Sequence, residues 1–332
     1  MLAVLSPNER RTFLQSIAAE FERLQADIVW LDATSLSETS WPERLAHHAP
    51  EILLTAWTTP PLPAAWLRAP ECPLRYVCHL PGSVRRLVPR FFLERGGIVT
   101  NWGTLAAAAV AEHALLLGLA ALRNLPAWRP YLLQAPAQRS TDALATRSLF
   151  RRRVGLHGFG AIARELVPLL APFHPVIAAY SPGVPPAEMT ARGVQPCASL
   201  HELFARSDVL FGCEALTPAT EGCVTAEVLA ALPDGAVFVN VGRGRIADEA
   251  ALLREAASGR IRVAVDVVSH EPMAADSPWL DTNRALISPH IGGPTMDMYP
   301  DIGCHALRNL QRYLAGEPLR AIVTAEAYDR ST

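Results

Sequence analysis

Three side chains able to bind anions and move protons each directly follow an apolar, strand-like run. Arg243 follows residues 236–241 in Gly242-Arg243-Gly244, and Glu271 follows residues 263–268 in Ser269-His270-Glu271-Pro272. His290 follows residues 285–288 in Pro289-His290-Ile291-Gly292-Gly293. In an open parallel sheet, ligands sit beyond the carboxyl ends of the strands, so the three side chains converge on one rim. A guanidinium there grips a carboxylate and polarises an adjoining carbonyl. A histidine gives the carbonyl oxygen its proton as hydride reaches the carbon. A carboxylate touching that histidine pairs with the imidazolium and fixes its orientation. Singly, each has a plain alternative: a solvated arginine, a turn before proline, a capped loop histidine. Jointly, at strand ends on one rim, they fit hydride transfer to a 2-keto acid.

The place for a hydride carrier is the stretch Val154-Gly155-Leu156-His157-Gly158-Phe159-Gly160-Ala161-Ile162-Ala163. An apolar run leads into Gly158-x-Gly160-x-x-Ala163, and a helical pattern follows. That arrangement holds a dinucleotide. Gly158 permits a tight turn, Gly160 leaves room for a pyrophosphate, and Ala163 lets the helix pack on its strand. The helix start offers free N–H groups and partial positive charge to the phosphates.

Two series of alternating elements position these residues. In the first, residues 2–5, 27–31, 51–57, 74–80 and 98–101 are expected as strands, with helices over 9–24, 42–48, 64–69 and 88–95. In the second, strands are expected over 154–157, 176–180, 209–213, 236–241, 263–268 and 285–288. Helices are expected over 161–173, with a kink at Pro168, and over 200–206, 226–232 and 249–258. Such alternation implies parallel sheets with helices on both faces, an α/β fold, and six strands suit a doubly wound nucleotide domain. Residues 104–125 form a long helix, apolar almost all round, that must be buried on more than one side. Residues 128–150 are less periodic and are expected to wrap the surface. A last helix near 298–314 has no strand series to join, so it is expected to return to the first domain. The substrate domain is then discontinuous, residues 1–103 and 295–332, around a dinucleotide-binding domain at 104–294.

Composition narrows the class. The 332 residues are half apolar and carry a net charge of −2, without long runs of one sign. That disfavours nucleic acid or a membrane surface as partner. No signal peptide is evident, which favours the cytoplasm. The six cysteines fit no zinc spacing and read as apolar fillers, so no metal is expected. All thirty Lys-plus-Arg residues are arginine, which excludes a Schiff-base lysine and a P-loop lysine.

Over residues 153–294 the sequence resembles the D-isomer-specific 2-hydroxyacid dehydrogenases, with weaker likeness over most of the remainder. Asn240-Val-Gly-Arg243-Gly244-Arg245-Ile246-Ala247-Asp248-Glu249 is similar to the family's arginine motif. Val265-Asp266-Val267 with Glu271-Pro272 is similar to its acidic motif, and Ser288-Pro289-His290-Ile291-Gly292-Gly293 to its histidine motif. The resemblance implies a Rossmann-type doubly wound domain plus a smaller, discontinuous flavodoxin-like domain. It makes Arg243 the substrate-binding arginine, His290 the acid/base and Glu271 its partner. Asp266 would contact the nicotinamide amide. The NAD or NADP site would also include Gly158, Phe159, Gly160, Ala161, Ile162, Ser181, Cys213, Thr217, Val241, Gly242 and Gly292. The loop Pro81-Gly82-Ser83 would hold the substrate carboxylate with backbone N–H groups. The activity implied interconverts a 2-keto acid and a D-2-hydroxy acid, as in glyoxylate/hydroxypyruvate reductases or short phosphoglycerate dehydrogenases. Glu271 speaks against the formate-specific branch, which carries glutamine there. With the chain ending at Thr332, the regulatory domain of the long phosphoglycerate dehydrogenases is not expected. A homodimer through the nucleotide domain is implied, with the 104–125 helix at the interface.

The sequence departs from this pattern in places. The acid expected at the end of the second strand is Ser181, and no arginine follows it, so neither NAD nor NADP is selected there. Pro81 has no N–H. Arg85 replaces an aspartate, Ala109 an asparagine, and Cys213-Glu214 a leucine-histidine pair. Trp57 and Trp102 follow first-domain strands and are candidate pocket walls or core aromatics. These changes surround the substrate, so a second reading stands beside the enzyme: a catalytically silent NAD(H)-sensing co-regulator on the same fold.

Overall fold

The computed structural model describes residues 1–24, 27–282 and 284–330. Gln25, Ala26, Ser331 and Thr332, within the expected substrate domain, and Asn283, within the expected nucleotide domain, lie outside the described residues. The chain divides into two compact units, Met1–Ala106 with Pro294–Thr332, and Ala107–Gly293.

The first unit is built on five parallel strands: β1 (Leu2–Leu5), β2 (Val29–Asp32), β3 (Ile52–Thr55), β4 (Tyr76–His79) and β5 (Ile98–Thr100). Their order is β2-β1-β3-β4-β5, the flavodoxin-like arrangement. β1, β3 and β4 are buried along their whole length, because helices cover both faces of a parallel sheet. Side chains alternate between two apolar layers. Leu2, Val4, Leu53 and Val77 enter one, while Ala3, Leu5, Ile52, Leu54 and Tyr76 enter the other.

A single helix over 9–24 is not what forms. The helix begins earlier, at Pro7, because Ser6 caps it in a reciprocal pair with Glu9. It ends at Leu14 and resumes as Ala18–Glu22 after a tight turn, which turns Ile17 and Phe21 into the same layer as Phe13 and Leu14. Glu9 is buried and also accepts from the Thr58 backbone N–H at 2.8 Å, fixing the turn after Trp57. The helix Tyr299–Leu314 belongs to this unit and packs on Pro7–Leu14. Gly303 permits the contact, since a Cβ there would lie 2.0 Å from the Phe13 carbonyl oxygen.

The second unit holds β6 (Arg153–His157), β7 (Val176–Tyr180), β8 (Gln195–Pro196), β9 (Val209–Gly212), β10 (Val237–Asn240), β11 (Arg262–Val265) and β12 (Leu286–Ile287). The order is β12-β11-β10-β9-β6-β7-β8, all parallel. This is the doubly wound nucleotide-domain order with one strand added beyond its last position. The sheet has seven strands where six were expected, because β8 is a two-residue edge strand containing Pro196 and has no apolar run.

The helix Ala107–Leu122 is shorter than the 104–125 expected and lies against the helix Ala161–Leu170 and strands β10 and β11. Gly118 admits Phe211, whose ring would lie 2.9 Å from a Cβ there. Arg262 closes the helix's carboxyl end, donating to the carbonyls of Ala121 and Leu122 at 2.8 Å each. Pro168 sits in the last turn of Ala161–Leu170, which passes into the turn Ala171–Phe173. Residues 128–150 are not wholly irregular: Trp128–Leu133 is a short helix.

Candidate active site

β6 runs into Gly158, whose φ of +92° favours glycine. Gly160 caps the helix Ala161–Leu170 without any side-chain hydrogen bond, so the first N–H groups of that helix are left to a ligand. A Cβ at Gly160 would meet nothing within 4 Å; the space before the helix start is open. Ala161 and Ile162 are half-buried, and Ala163 is fully buried against the sheet. An open glycine cradle at an uncapped helix start fits the pyrophosphate of a dinucleotide. Phe159 is wholly buried in the core, which leaves only its backbone for a ligand.

The three chemistry-bearing loops meet. Asn240, at the end of β10, is buried and ties down the arginine loop from both sides. Its amide donates to the Arg243 carbonyl at 3.0 Å, and its side-chain oxygen accepts from Gly242 N–H at 3.1 Å. Val241 is buried, and its N–H donates to the Gly212 carbonyl at 3.0 Å. Gly244 lets this loop touch the acidic loop, since a Cβ there would lie 2.0 Å from the Val268 carbonyl carbon. The acidic loop is tethered in turn: Glu249 accepts from Ser269 N–H at 2.7 Å, and Glu271 from Val268 N–H at 3.1 Å. The other oxygen of Glu271 lies 2.5 Å from His290 Nδ1. His290 keeps about half of its side chain exposed. Burial lowers the pKa of the Arg243 guanidinium, while the charge of Glu271 raises it; arginine stays charged throughout.

His290 adopts φ of +54°, a conformation that costs a non-glycine residue energy unless its surroundings hold it. Asp266, at the end of β11, supplies the hold. Its carbonyl accepts from His290 N–H at 2.9 Å, and its carboxylate accepts from the N–H groups of Ile291 and Gly292 at 3.0 and 2.8 Å. The same carboxylate accepts from Ser288 Oγ at 2.6 Å and lies 3.3 Å from His113 Nε2. Burial pushes the Asp266 carboxyl up, but His113, Ser288 and the two backbone N–H groups outweigh it and hold it at about 2. Both oxygens, assigned by the resemblance to a nicotinamide amide, are thus engaged by the chain itself, and they anchor the histidine loop. Gly292 packs directly on this network, 2.8 Å from Asp266 Oδ2 if a Cβ were added.

Other expected site residues are differently occupied. Cys213 is buried, and burial pushes its thiol up to about 12. Thr217 turns on itself, its N–H donating to Thr220 Oγ1 at 2.7 Å. Ser181 donates to Glu214 at 3.1 Å. In the first unit, Pro81 is buried and Ser83 exposed, and Asn101 donates to the Gly82 carbonyl at 2.5 Å. Gly82 rests on Trp102, with 2.4 Å left to the indole nitrogen for a Cβ. Trp57 is 48% exposed and sits 6.2 Å from Trp102 and 6.1 Å from Tyr299, ring to ring. Asp248-Glu249 entered only as motif, and His113 only as one residue of the helix expected over 104–125. Their tethering roles depend on tertiary contacts that no local spacing announces.

A family model described as "D-isomer specific 2-hydroxyacid dehydrogenase, NAD binding domain" matches residues 115–292. The D-3-phosphoglycerate dehydrogenase of Mycobacterium tuberculosis is 34% identical over 224 residues, 67% of this chain and 42% of that protein. The chain therefore spans less than half the length of that relative. The hydroxypyruvate reductase of Thermotoga maritima is 30% identical over 67% of this chain and 71% of its own. Among solved structures, D-mandelate dehydrogenase of Rhodotorula graminis superposes with a TM-score of 0.83 at 20% identity, covering 97% of each chain. At that identity the likeness shows the fold.

Proposed function

Because this chain belongs to the D-isomer-specific 2-hydroxyacid dehydrogenase family, we propose that it interconverts a 2-keto acid and a D-2-hydroxy acid with a nicotinamide cofactor. The observation that carries the reading is the 2.5 Å contact between His290 Nδ1 and Glu271, in loops held against the arginine loop. The bound nicotinamide supplies hydride to the carbonyl carbon, or takes it back. Arg243 holds the substrate carboxylate and polarises its carbonyl. His290 gives the carbonyl oxygen a proton from Nε2 during reduction and recovers it during oxidation. Glu271 accepts at Nδ1 and so keeps Nε2 directed at substrate. Gly158, Phe159, Gly160, Ala161 and Ile162 hold the pyrophosphate through backbone. Ser181, Cys213, Thr217, Val241, Gly242, Asp266 and Gly292 line the rest of the cofactor. Gly82 and Ser83 offer the substrate N–H groups, and Pro81 shapes their loop without one.

A homodimer through the nucleotide domain is part of this proposal. Its support is the exposed apolar side chains on that unit, Leu116, Leu132 and Leu133 at 57, 62 and 71% exposure among them. Among the described residues, no single helix is long and apolar enough to cross a membrane. We place the chain in the cytoplasm on its free thiols. All three chemistry-bearing side chains are present, and nothing in the site favours a silent sensor.

The test is oxidation of NADH and NADPH with glyoxylate, hydroxypyruvate, pyruvate and phenylpyruvate. Turnover with one of them is expected, falling roughly 10²–10⁴-fold in His290→Ala while cofactor still binds. Undiminished turnover in that variant removes the mechanism.

A further inference from the structure

We infer that Glu214, at the end of β9, supplies the ribose-selecting carboxylate that β7 lacks, and that it makes the site selective for the dinucleotide without a 2′-phosphate. The inference rests on the dehydrogenase reading above and names the cofactor of that site. In a doubly wound nucleotide domain, an acid about 20 residues past the glycine turn binds the adenosine ribose hydroxyl. Here that position is Ser181, whose hydroxyl donates to Glu214 Oε2 at 3.1 Å.

β9 and β7 lie on opposite sides of β6, about 10 Å apart at two strand spacings. Glu214 spans that gap across the glycine turn. Gly158 makes the crossing possible, because a Cβ there would lie 2.7 Å from both Cα and N of Glu214. On the other side, a Cβ at Gly242 would lie 2.7 Å from the Glu214 carbonyl oxygen. Two glycines thus clamp the Glu214 backbone, and its carboxylate reaches the end of β7 from a fixed origin. The second oxygen accepts from Ala215 N–H at 3.0 Å. A carboxylate accepts about four hydrogen bonds, so capacity remains for a ribose diol beside Ser181.

A 2′-phosphate at this position brings about −1.5 to −2 charges toward an existing negative charge. The residues after Ser181 are Pro182, Gly183 and Val184, none cationic. Arg164, on the helix that follows the glycine turn, is ion-paired with Glu188 at 2.6 Å. The sign of the charge at the end of β7 is therefore set by Glu214.

The test is equilibrium titration of the full chain with NADH and NADPH, read by fluorescence of the reduced nicotinamide without substrate. NADH is expected to bind at least about tenfold tighter, and Glu214→Gln to bring the two affinities within about threefold. Adding Ser181→Asp to Glu214→Gln is expected to restore the preference, an outcome that a merely structural Glu214 would not give. Should Glu214→Gln fail to fold, Glu214→Asp, which draws the charge back by one methylene, is expected to narrow the ratio instead. Equal affinities in the unaltered chain, or an unchanged ratio in the folded variant, overturn the inference and leave the dehydrogenase reading standing. Binding of neither nucleotide overturns both.

Discussion

His290 is held in a backbone conformation that it does not favour, and the residue holding it is Asp266. The Asp266 carboxyl is kept at about 2 by four donors against the cost of burial. The folded-state value lies below the ordinary 3.8. The resulting stability is therefore fully present above the unfolded value and lost as pH falls through the folded one. Asp266→Asn turns one of the two oxygens that accept from Ile291 and Gly292 into a donor and removes the charge, and is expected to cost on the order of 2 kcal/mol at neutral pH, read as a lower denaturant midpoint. It should also lower turnover by loosening the histidine loop. Glu271→Gln is expected to reduce turnover at least about tenfold, with cofactor affinity unchanged, because the imidazole loses its orienting carboxylate. Steady-state kinetics beside a cofactor titration check this. Arg243, Glu271 and His290 could be proposed from sequence because each closely follows an apolar run, where chemistry-bearing side chains collect. Their supports could not. His113 reaches Ser288 at 2.9 Å from a helix 175 positions earlier, and only the fold brings the two together.

At the scale of elements, close packing is bought with missing side chains. Gly303 lets Tyr299–Leu314 settle on Pro7–Leu14, with 2.0 Å to the Phe13 carbonyl oxygen for any added Cβ. Backbone yields less readily than the end of a flexible side chain. Gly303→Ala is therefore expected to destabilise the first unit by about 1–3 kcal/mol, measured by thermal or denaturant unfolding. The buried strands were readable as apolar runs to within a few residues. β8 escaped because two residues, one of them proline, carry no periodicity. The helix Ala107–Leu122 was expected to be buried on more than one side, yet Ala108, Glu112 and Leu116, one turn apart, leave one face exposed, so apolar character all round did not report burial within this chain.

Each unit buries a neutral histidine. Burial holds His79 at about 3 and His157 at about 4, against an ordinary 6.5. In the unfolded chain both take up a proton as pH falls through 6.5, while the folded forms do not. The unfolded state then binds more protons, so stability is complete above 6.5 and declines as pH drops toward the folded values. His157→Gln is expected to flatten the pH–stability curve of the second unit between pH 6.5 and 4 by about 3 kcal/mol, seen in denaturant melts at the two ends of that window. The division into an interrupted first unit and a continuous second one followed from a terminal helix with no strands left to join. What could not be read was how much of the first unit depends on that late segment.

That dependence sets an order of events at the ribosome. The second unit is one unbroken stretch, Ala107–Gly293, and has all its parts once residue 293 has emerged. The first unit does not, although its sheet is synthesised first. One apolar face of that sheet is finished by Ile302, Ala306, Leu307 and Leu310, and the other by Val323 and Tyr328. A nascent chain therefore carries an early sheet incompletely covered on both faces while the nucleotide domain assembles behind it. The part made first is completed last.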